Sequence, residues 1–387
     1  MIMDEIALDK IDRREPFALY VHLPFCHYRC HYCDFYASAG VDPQLRRKVI
    51  ARILREITNQ LAYLHMERLV SVYVGGGTPS MIDGDQLSAL IDLVQSYHPQ
   101  QVTIEVNPED VSKDLIDALG LARWQNLRVS MGMQTFHQAS LDAVGRKVTT
   151  QQMFDALELL SPYKARLSLD LIAGLPFHTQ AIVESDMHRL VTYRPAHLSL
   201  YALAMEEGTV LTYRHHPHLP NEEERSIQWQ ASQRMLLASG YQQYEVSNYA
   251  LTPNDYSLQN THYWQLKPYI GIGPGAVGTL PLLDGSALRI TGRREFGVWS
   301  NPDDINLWHR DMIERESFIF EHYMMGFRTA LGISKAILKE RFGDAGLAPW
   351  EHLQKSKWRE FLQEDDRYIT LTEQGRLVLD AILLDLL

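Results

Sequence analysis

Cysteine is scarce in this chain of 387 residues, and no apolar run is long enough to span a bilayer. Three cysteines in all exclude a disulfide-stapled scaffold. The N-terminal MIMDEIALDKIDRREP is interspersed with acidic residues and lacks a continuous apolar stretch, so no signal peptide is expected and the chain is expected to be cytoplasmic. Positive charge is also short: 37 Lys and Arg against 48 Asp and Glu give a formal net charge of −11. That balance argues against a nucleic-acid partner, whose phosphates demand a basic surface. Internal repeats and low-complexity tracts are absent, which sets aside solenoid and largely disordered architectures. What remains is an ordinary globular composition, 45% apolar, long enough for one large domain and a smaller one.

The three cysteines sit together. Cys26, Cys30 and Cys33 occupy YVHLPFCHYRCHYCDFYA, directly after an apolar run that reads as a strand. With no cysteine elsewhere to pair with, the CxxxCxxC spacing points to a three-thiolate metal site. Three thiolates can hold three irons of a 4Fe-4S cluster and leave the fourth iron open to an external ligand. Two plainer readings compete with this one. His22, His27 or His31 could complete a Cys3His zinc knuckle, or the thiols could be buried and inert. The polar residues between Cys26 and Cys30 break any apolar periodicity, and the cluster is the leading reading.

Strands are predicted at 18–25, 71–77, 102–108, 128–135, 166–176 and 197–204. Helices are predicted around 43–64, 84–97, 111–120, 138–145, 150–161 and 179–193. Six β/α units in series predict an α/β fold with a parallel sheet, curled by right-handed crossovers into a full or partial barrel. Ligands then gather at the C-terminal strand ends, where the cysteines, Gly75 to Thr78, Glu105, Gln134 and Asp170 fall. From about 205 to 300 the pattern is irregular, with a helix at 221–239 and the glycine-rich YIGIGPGAVG. Beyond 312 it is helical again and closes in a strand, a turn and an amphipathic helix, like a small winged-helix module. Acidic residues outnumber basic ones over 350–387, so a lid or packing role is expected there rather than DNA reading. The expected division is an N-terminal segment 1–17, a partial barrel 18–205, an α/β extension 206–310 closing the barrel, and a helical domain 311–387.

In order and over nearly the whole chain, YVHLPFCHYRCHYCDF, VGGGTPS, TIEVNP, SMGMQTF, LDLIAGLP, HLSLYALAMEEGT and YEVSNYA resemble the radical S-adenosylmethionine (SAM) superfamily. The resemblance is to its branch containing anaerobic coproporphyrinogen III oxidase and the HemW-type heme chaperones. It implies a partial (β/α)6 barrel in which SAM chelates the open iron through its amino and carboxylate groups, and reduction can release a 5′-deoxyadenosyl radical. Carried over position by position, Cys26, Cys30 and Cys33 would hold the cluster, and Tyr20 and Tyr32 would flank it and contact SAM. The Gly75–Pro79 turn, with Gly76, Gly77 and Thr78, would let backbone approach the cofactor. Glu105, Gln134, Arg146 and Asp170 would take the ammonium, carboxylate and ribose of SAM. Plainer roles are helix caps for Glu105 and Asp170 and a surface ion pair for Arg146. Ala202 and Val277 match positions lining the family's SAM pocket but suit a core equally well.

Within the branch, the oxidases carry a fourth cysteine where this chain has Phe35, and a longer segment where 17 residues here precede the first strand. Both features, with CDF after the motif, imply the HemW type. That type binds heme as cargo and delivers it to heme-dependent respiratory enzymes, with cluster and SAM bound but without coproporphyrinogen oxidase activity. The implied partners are heme, the respiratory proteins that receive it, and a reductant for the cluster, with peripheral membrane association left open. Two positions depart from the pattern. The HNxxYW segment, whose first histidine is a candidate heme ligand, reads Gln259-Asn260-Thr261-His262-Tyr263-Trp264 here, and glutamine is a poor ligand for heme iron. His262 is the nearest substitute, and Val277 stands where the chaperone pattern usually has histidine. The alternative is a radical SAM enzyme that oxidises or methylates a tetrapyrrole or another conjugated substrate.

Overall fold

The computed structural model describes residues 8–386; the first seven residues of the expected N-terminal segment 1–17, and residue 387, lie outside the described residues. Alternation of apolar and polar residues produces six strands: β1 Ala18–Leu23, β2 Ser71–Gly76, β3 Gln101–Val106, β4 Leu127–Gln134, β5 Leu167–Ala173 and β6 His197–Ala202. They pair in chain order, all parallel. Parallel neighbours require crossovers, which are supplied by helices α1 Pro43–Tyr63, α2 Gly84–Gln95, α3 Lys113–Leu119, α4 Gln138–Ala143, α5 Thr150–Leu160 and α6 Gln180–Tyr193. Local signals fix the helix ends. Asp42 caps α1, Ser112 caps α3 with Gly120 left-handed behind it, and Thr149 and Gln152 form a capping box on α5.

One face of each strand is apolar. Leu19, Val21, Val72, Val74, Val102, Ile104, Val129, Met131, Leu169 and Leu198 are buried and share one core with Val49, Ile50 and Ile53 of α1 and Leu87, Leu90 and Ile91 of α2. Each such burial contributes roughly 1.5–3 kcal/mol, so this face determines the register. The other face carries the polar residues.

The sheet is larger than six strands. The stretch 205–300, expected to be irregular, contributes β7 Gln242–Gln243, β8 Asn248–Ala250, β9 Tyr269–Ile272, β10 Val277–Pro281 and β11 Ala287–Gly292, followed by β12 Trp308–Ile313. The order is β12-β11-β10-β9-β1-β2-β3-β4-β5-β6-β8-β7, an open sheet of twelve strands. β9 adds a seventh parallel strand beside β1, and the added strands outside it pair antiparallel. Glycine hid these strands, because it is depleted in sheets generally. Here close packing demands it: a Cβ on Gly271 would stand 2.3 Å from the Val277 carbonyl oxygen.

A second core, built on Phe318, Tyr323, Phe327, Phe342, Trp350 and Ile369, holds C-terminal helices around a three-stranded sheet of Ile333–Ser334, Tyr368–Leu371 and Leu362–Glu364. Buried Arg341 ties it to the rest through Asp12, 3.7 Å away, whose N–H donates to the Pro281 carbonyl of β10. Among the described residues no helix is long and apolar enough to cross a membrane.

Candidate cluster and cofactor site

The inner faces of β2 to β6 and the cysteine loop enclose a cavity of about 540 Å³. Cys26, Cys30 and Cys33 line it, each half-buried. Their loop is pinned by backbone bonds from Gly77 to the Leu23 carbonyl (3.0 Å), from Thr78 to Phe25 (2.7 Å) and from His31 to Val144 (2.8 Å). Thr78 Oγ1 approaches Cys26 Sγ at 3.6 Å, and Arg146 Nη1 approaches Cys30 Sγ at 3.9 Å. Burial pushes the Cys26 thiol up to about 11, so metal binding there must release a proton.

For the zinc-knuckle reading, His22 is committed through both ring nitrogens, while His27 and His31 each bond through one. His22 bonds Tyr20 and the Tyr36 carbonyl, His27 bonds Asp110, and His31 bonds the Ala143 carbonyl. Among the described residues no three His, Cys, Asp or Glu side chains are gathered to hold one metal ion. In a cluster each of the three thiolates takes its own iron, so no fourth protein ligand is required.

Glu105 reaches into the cavity between its neighbours. Its carboxylate accepts from Tyr73 Oη at 2.8 Å and from the Gly76 N–H at 3.0 Å. A Cβ on Gly75 would lie 2.7 Å from that carboxyl group, so the glycine is what admits it. Burial raises its pKa to about 7, against the two hydrogen bonds that lower it. Asp170 accepts from Ser130 at 3.1 Å; burial raises its pKa too, and its Oδ1 is buried with no protein partner. Neither carboxylate caps a helix, since Ser112 and Thr179 cap the helices that follow. Arg146 is no surface ion pair either: it is buried and donates to the Gly132 carbonyl at 2.7 Å and to Asn107 at 3.2 Å. Gln134 sits at a bulge with φ +63°, its amide packed over Gly132.

Tyr32, Gly76, Gly77, Thr78 and Ala202 line the same cavity. Tyr20 and Val277 do not. Tyr20 donates to His22 Nδ1 at 2.7 Å, and the His22 ring occupies the space a Gly76 side chain would need. It therefore braces the turn from behind.

Several lining residues escape motif reading: Asn107, Arg128, Ser130, His197, Ser199 and Tyr201. Their signal is the strand alternation itself, because Arg128, Ser130, Gly132 and Gln134 occupy successive inward positions of β4. Arg128 is buried, with Nε and Nη1 unpartnered, and lies close enough to Asp170 to favour its charge. The orphaned Asp170 Oδ1, Arg128 Nε and Nη1, and Arg146 Nε are the donor and acceptor set that a polar, charged cofactor such as SAM would satisfy.

The suggested heme ligands fall elsewhere. Gln259 is fully buried and accepts from Ser71 at 2.7 Å. His262 is buried against the Pro268 carbonyl at 2.8 Å, with burial lowering its pKa to about 4, and it does not line the cavity. The substitution of His262 for the missing histidine is therefore set aside. His197, the cavity's own imidazole, uses one nitrogen on Ser168 and the other on Tyr244, each at 2.8 Å.

The buried Glu105 carboxyl has a consequence for stability. Its folded pKa of about 7 lies above the ordinary 4.5, so the folded state binds the proton more tightly. That contribution is complete below about pH 4.5 and is lost as the pH rises through about 7. Buried His178, His262 and His322, held below the ordinary imidazole range, act in the opposite sense on total stability, so the Glu105 share is read as the difference between wild type and Glu105→Gln in denaturant titrations of the metal-free chain, which should change across this window. A difference that does not change between pH 4.5 and 7 would place Glu105 in a solvated environment.

Comparison with known proteins agrees with this geometry. Residues 20–190 match the Radical SAM superfamily, and residues 313–378 match the HemN C-terminal domain. Heme chaperone HemW of Lactococcus lactis is 30% identical over 377 residues, covering 94% of this chain and 95% of that protein. Heme chaperone HemW of Escherichia coli is 31% identical over 376 residues, covering 95% and 97%. The Bos taurus protein named radical S-adenosyl methionine domain-containing protein 1, mitochondrial, is 32% identical over 395 residues, covering 96% and 87%. The solved structure of coproporphyrinogen III oxidase (HemN) from Escherichia coli superposes with a TM-score of 0.79 at 20% identity, over 98% of this chain and 91% of that one, a likeness of fold. The superfamily implies a 4Fe-4S cluster and SAM, which the three thiolates and the orphaned polar lining fit. The chain belongs to the radical SAM superfamily, in the coproporphyrinogen III oxidase-like family and its HemW branch.

Proposed function

We propose that this protein binds heme and delivers it to heme-dependent respiratory proteins, holding a 4Fe-4S cluster and SAM but not oxidising coproporphyrinogen III. The observation that carries this reading is similarity over 94–95% of the chain to two proteins named heme chaperone HemW. Phe35 supports it. At the position of the oxidases' extra cysteine, the cavity rim presents an apolar ring that is 69% exposed. Cys26, Cys30 and Cys33 would hold the cluster, while Tyr32, Gly76, Gly77, Thr78, Glu105, Gln134, Arg146 and Asp170 would hold SAM. Held by these residues, a 4Fe-4S cluster would supply one-electron chemistry at the bound cofactor. The protein's own share is to orient the cofactor through Glu105 and Asp170, neutralise its carboxylate near Arg146, and keep the glycine turn open for backbone contact. Tyr20 acts indirectly through His22. Reduced thiols suit the cytoplasm, where a cellular reductant would serve the cluster.

Heme titration of the anaerobically cluster-loaded chain tests this proposal. Saturable binding near one heme per chain is the expected result, and linear, non-saturating absorbance would contradict it. One observation favours a second reading, a radical SAM enzyme acting on a tetrapyrrole: among the described residues lining the cavity, the imidazole of His197 is already committed on both sides. That reading predicts 5′-deoxyadenosine or S-adenosylhomocysteine formed in proportion to an added tetrapyrrole.

A further inference from the structure

We infer that heme docks outside the cavity, on the face where the segment 206–219 crosses the cysteine loop, with His218 as its axial ligand. The inference rests on the heme-binding function proposed above and asks which imidazole can reach the iron.

Of the 16 histidines, most are committed. His22, His178, His197, His262 and His322 are buried and bonded. His27, His31, His137 and His352 bond Asp110, Ala143, Ser140 and Asp385. His65, His98, His188 and His309 are spread over separate elements. Only His215, His216 and His218 are clustered, and of the histidines without a ring hydrogen bond to another element His216 and His218 alone pack against an aromatic ring.

The cluster is built. The Phe177 ring stacks on His218 with centroids 4.3 Å apart and planes 26° from parallel, and meets His216 edge-on at 5.3 Å. The Phe177 N–H donates to the His218 carbonyl at 2.9 Å. Phe177 is held at φ +65° and His215 at +44°, conformations that side chains of this size rarely adopt and that persist only where surrounding contacts dictate them. The rings differ in readiness. The His218 backbone N–H donates to His216 Nδ1 at 3.3 Å, which leaves the proton of neutral His216 on Nε2, the nitrogen best placed for iron. His218 is exposed, and its ring nitrogens have no hydrogen bond among the described residues. It is the imidazole free to coordinate, with Phe177 fixing its plane.

The location suits the cargo. Leu211 N–H donates to the carbonyl of His31, the residue after Cys30, at 2.8 Å, so the segment rests on the cluster loop. Tyr213, 87% exposed on the same segment, offers a ring to a porphyrin face. Porphyrin fills four positions on iron, so one imidazole suffices where a bare metal ion would require three or four side chains. An exposed site also allows the heme to leave for a recipient.

The test is hemin titration of the cluster-loaded full chain, following the Soret band and the imidazole-ligated heme signature by magnetic circular dichroism. His218→Ala is expected to weaken binding at least tenfold and to abolish that signature, with iron, sulfide and SAM binding unchanged and the signature restored by free imidazole. His262→Ala should behave as wild type. Wild-type binding that His218→Ala leaves unchanged, or that His216→Ala abolishes instead, would overturn the assignment while leaving heme binding standing. Absence of saturable binding in the wild type would overturn both. Because His218 is exposed, retained far-UV circular dichroism separates these outcomes from misfolding.

Discussion

After anaerobic reconstitution, Cys30→Ala is expected to be colourless, with iron and sulfide near background, and yet to retain its far-UV circular dichroism. The reason lies in where the residue sits. Cys30 is half-buried on the loop beyond β1 and belongs to none of the hydrophobic cores. Arg146 Nη1 lies 3.9 Å from its Sγ and keeps its bonds to Gly132 and Asn107 when the thiol is removed. Two thiolates cannot hold three irons, so loss of one ligand should end cluster assembly. The outward apolar faces of the sheet are untouched, and the apo-protein should melt within a few degrees of wild-type apo-protein. Collapse of the whole fold in this variant would show that the cluster is structural.

Gly77→Ala is expected to have the second largest effect, on both stability and SAM binding. A Cβ on Gly77 would lie 2.5 Å from the Phe25 carbonyl oxygen and 2.6 Å from the Leu23 carbonyl oxygen. Both are backbone atoms of the segment that leads into Cys26, and Gly77 N–H itself donates to the Leu23 oxygen at 3.0 Å. A flexible side chain could move aside, but these atoms cannot move without displacing the cysteine loop. The expected cost is about 3 kcal/mol, at the upper end of ordinary overpacking, with SAM binding lost because the turn and the loop shift together. Gly297→Ala is the control: nothing lies within 4 Å of its Cβ position and its φ is not positive, so it should be neutral or slightly stabilising. Equal melting temperatures and SAM affinities for the two variants would contradict the packing argument.

The two variants also mark what was legible in the sequence. Cysteine spacing, the GGGTP turn and the alternation in RVSMGMQ and LSLDLIA were readable because each is a local pattern with one physical meaning. The same alternation held more than a strand assignment. Arg128, Ser168 and His197 point into the cavity because Val129, Leu169 and Leu198 point the other way, but which face turns inward depends on where the helices pack. β9 to β11 were missed because Gly271 and Gly278 weaken a strand signal while permitting the close approach that the sheet needs there. The Gln259 segment misled for a related reason. On the helix Leu258–Trp264, positions 259 and 262 share one side, so burial of Gln259 carries His262 inward as well and leaves Asn260 to line the cavity. Phe177 and His218 lie far apart in sequence and meet only through the fold.

The most direct test of the central claim is mass spectrometry on the anaerobically reconstituted, reduced protein incubated with SAM and either heme or coproporphyrinogen III. A heme carrier should retain heme at its original mass, leave coproporphyrinogen III unchanged, and consume SAM no faster than in the absence of a tetrapyrrole. A tetrapyrrole of altered mass, accumulating in step with SAM consumption, would contradict the account and identify the protein as an enzyme.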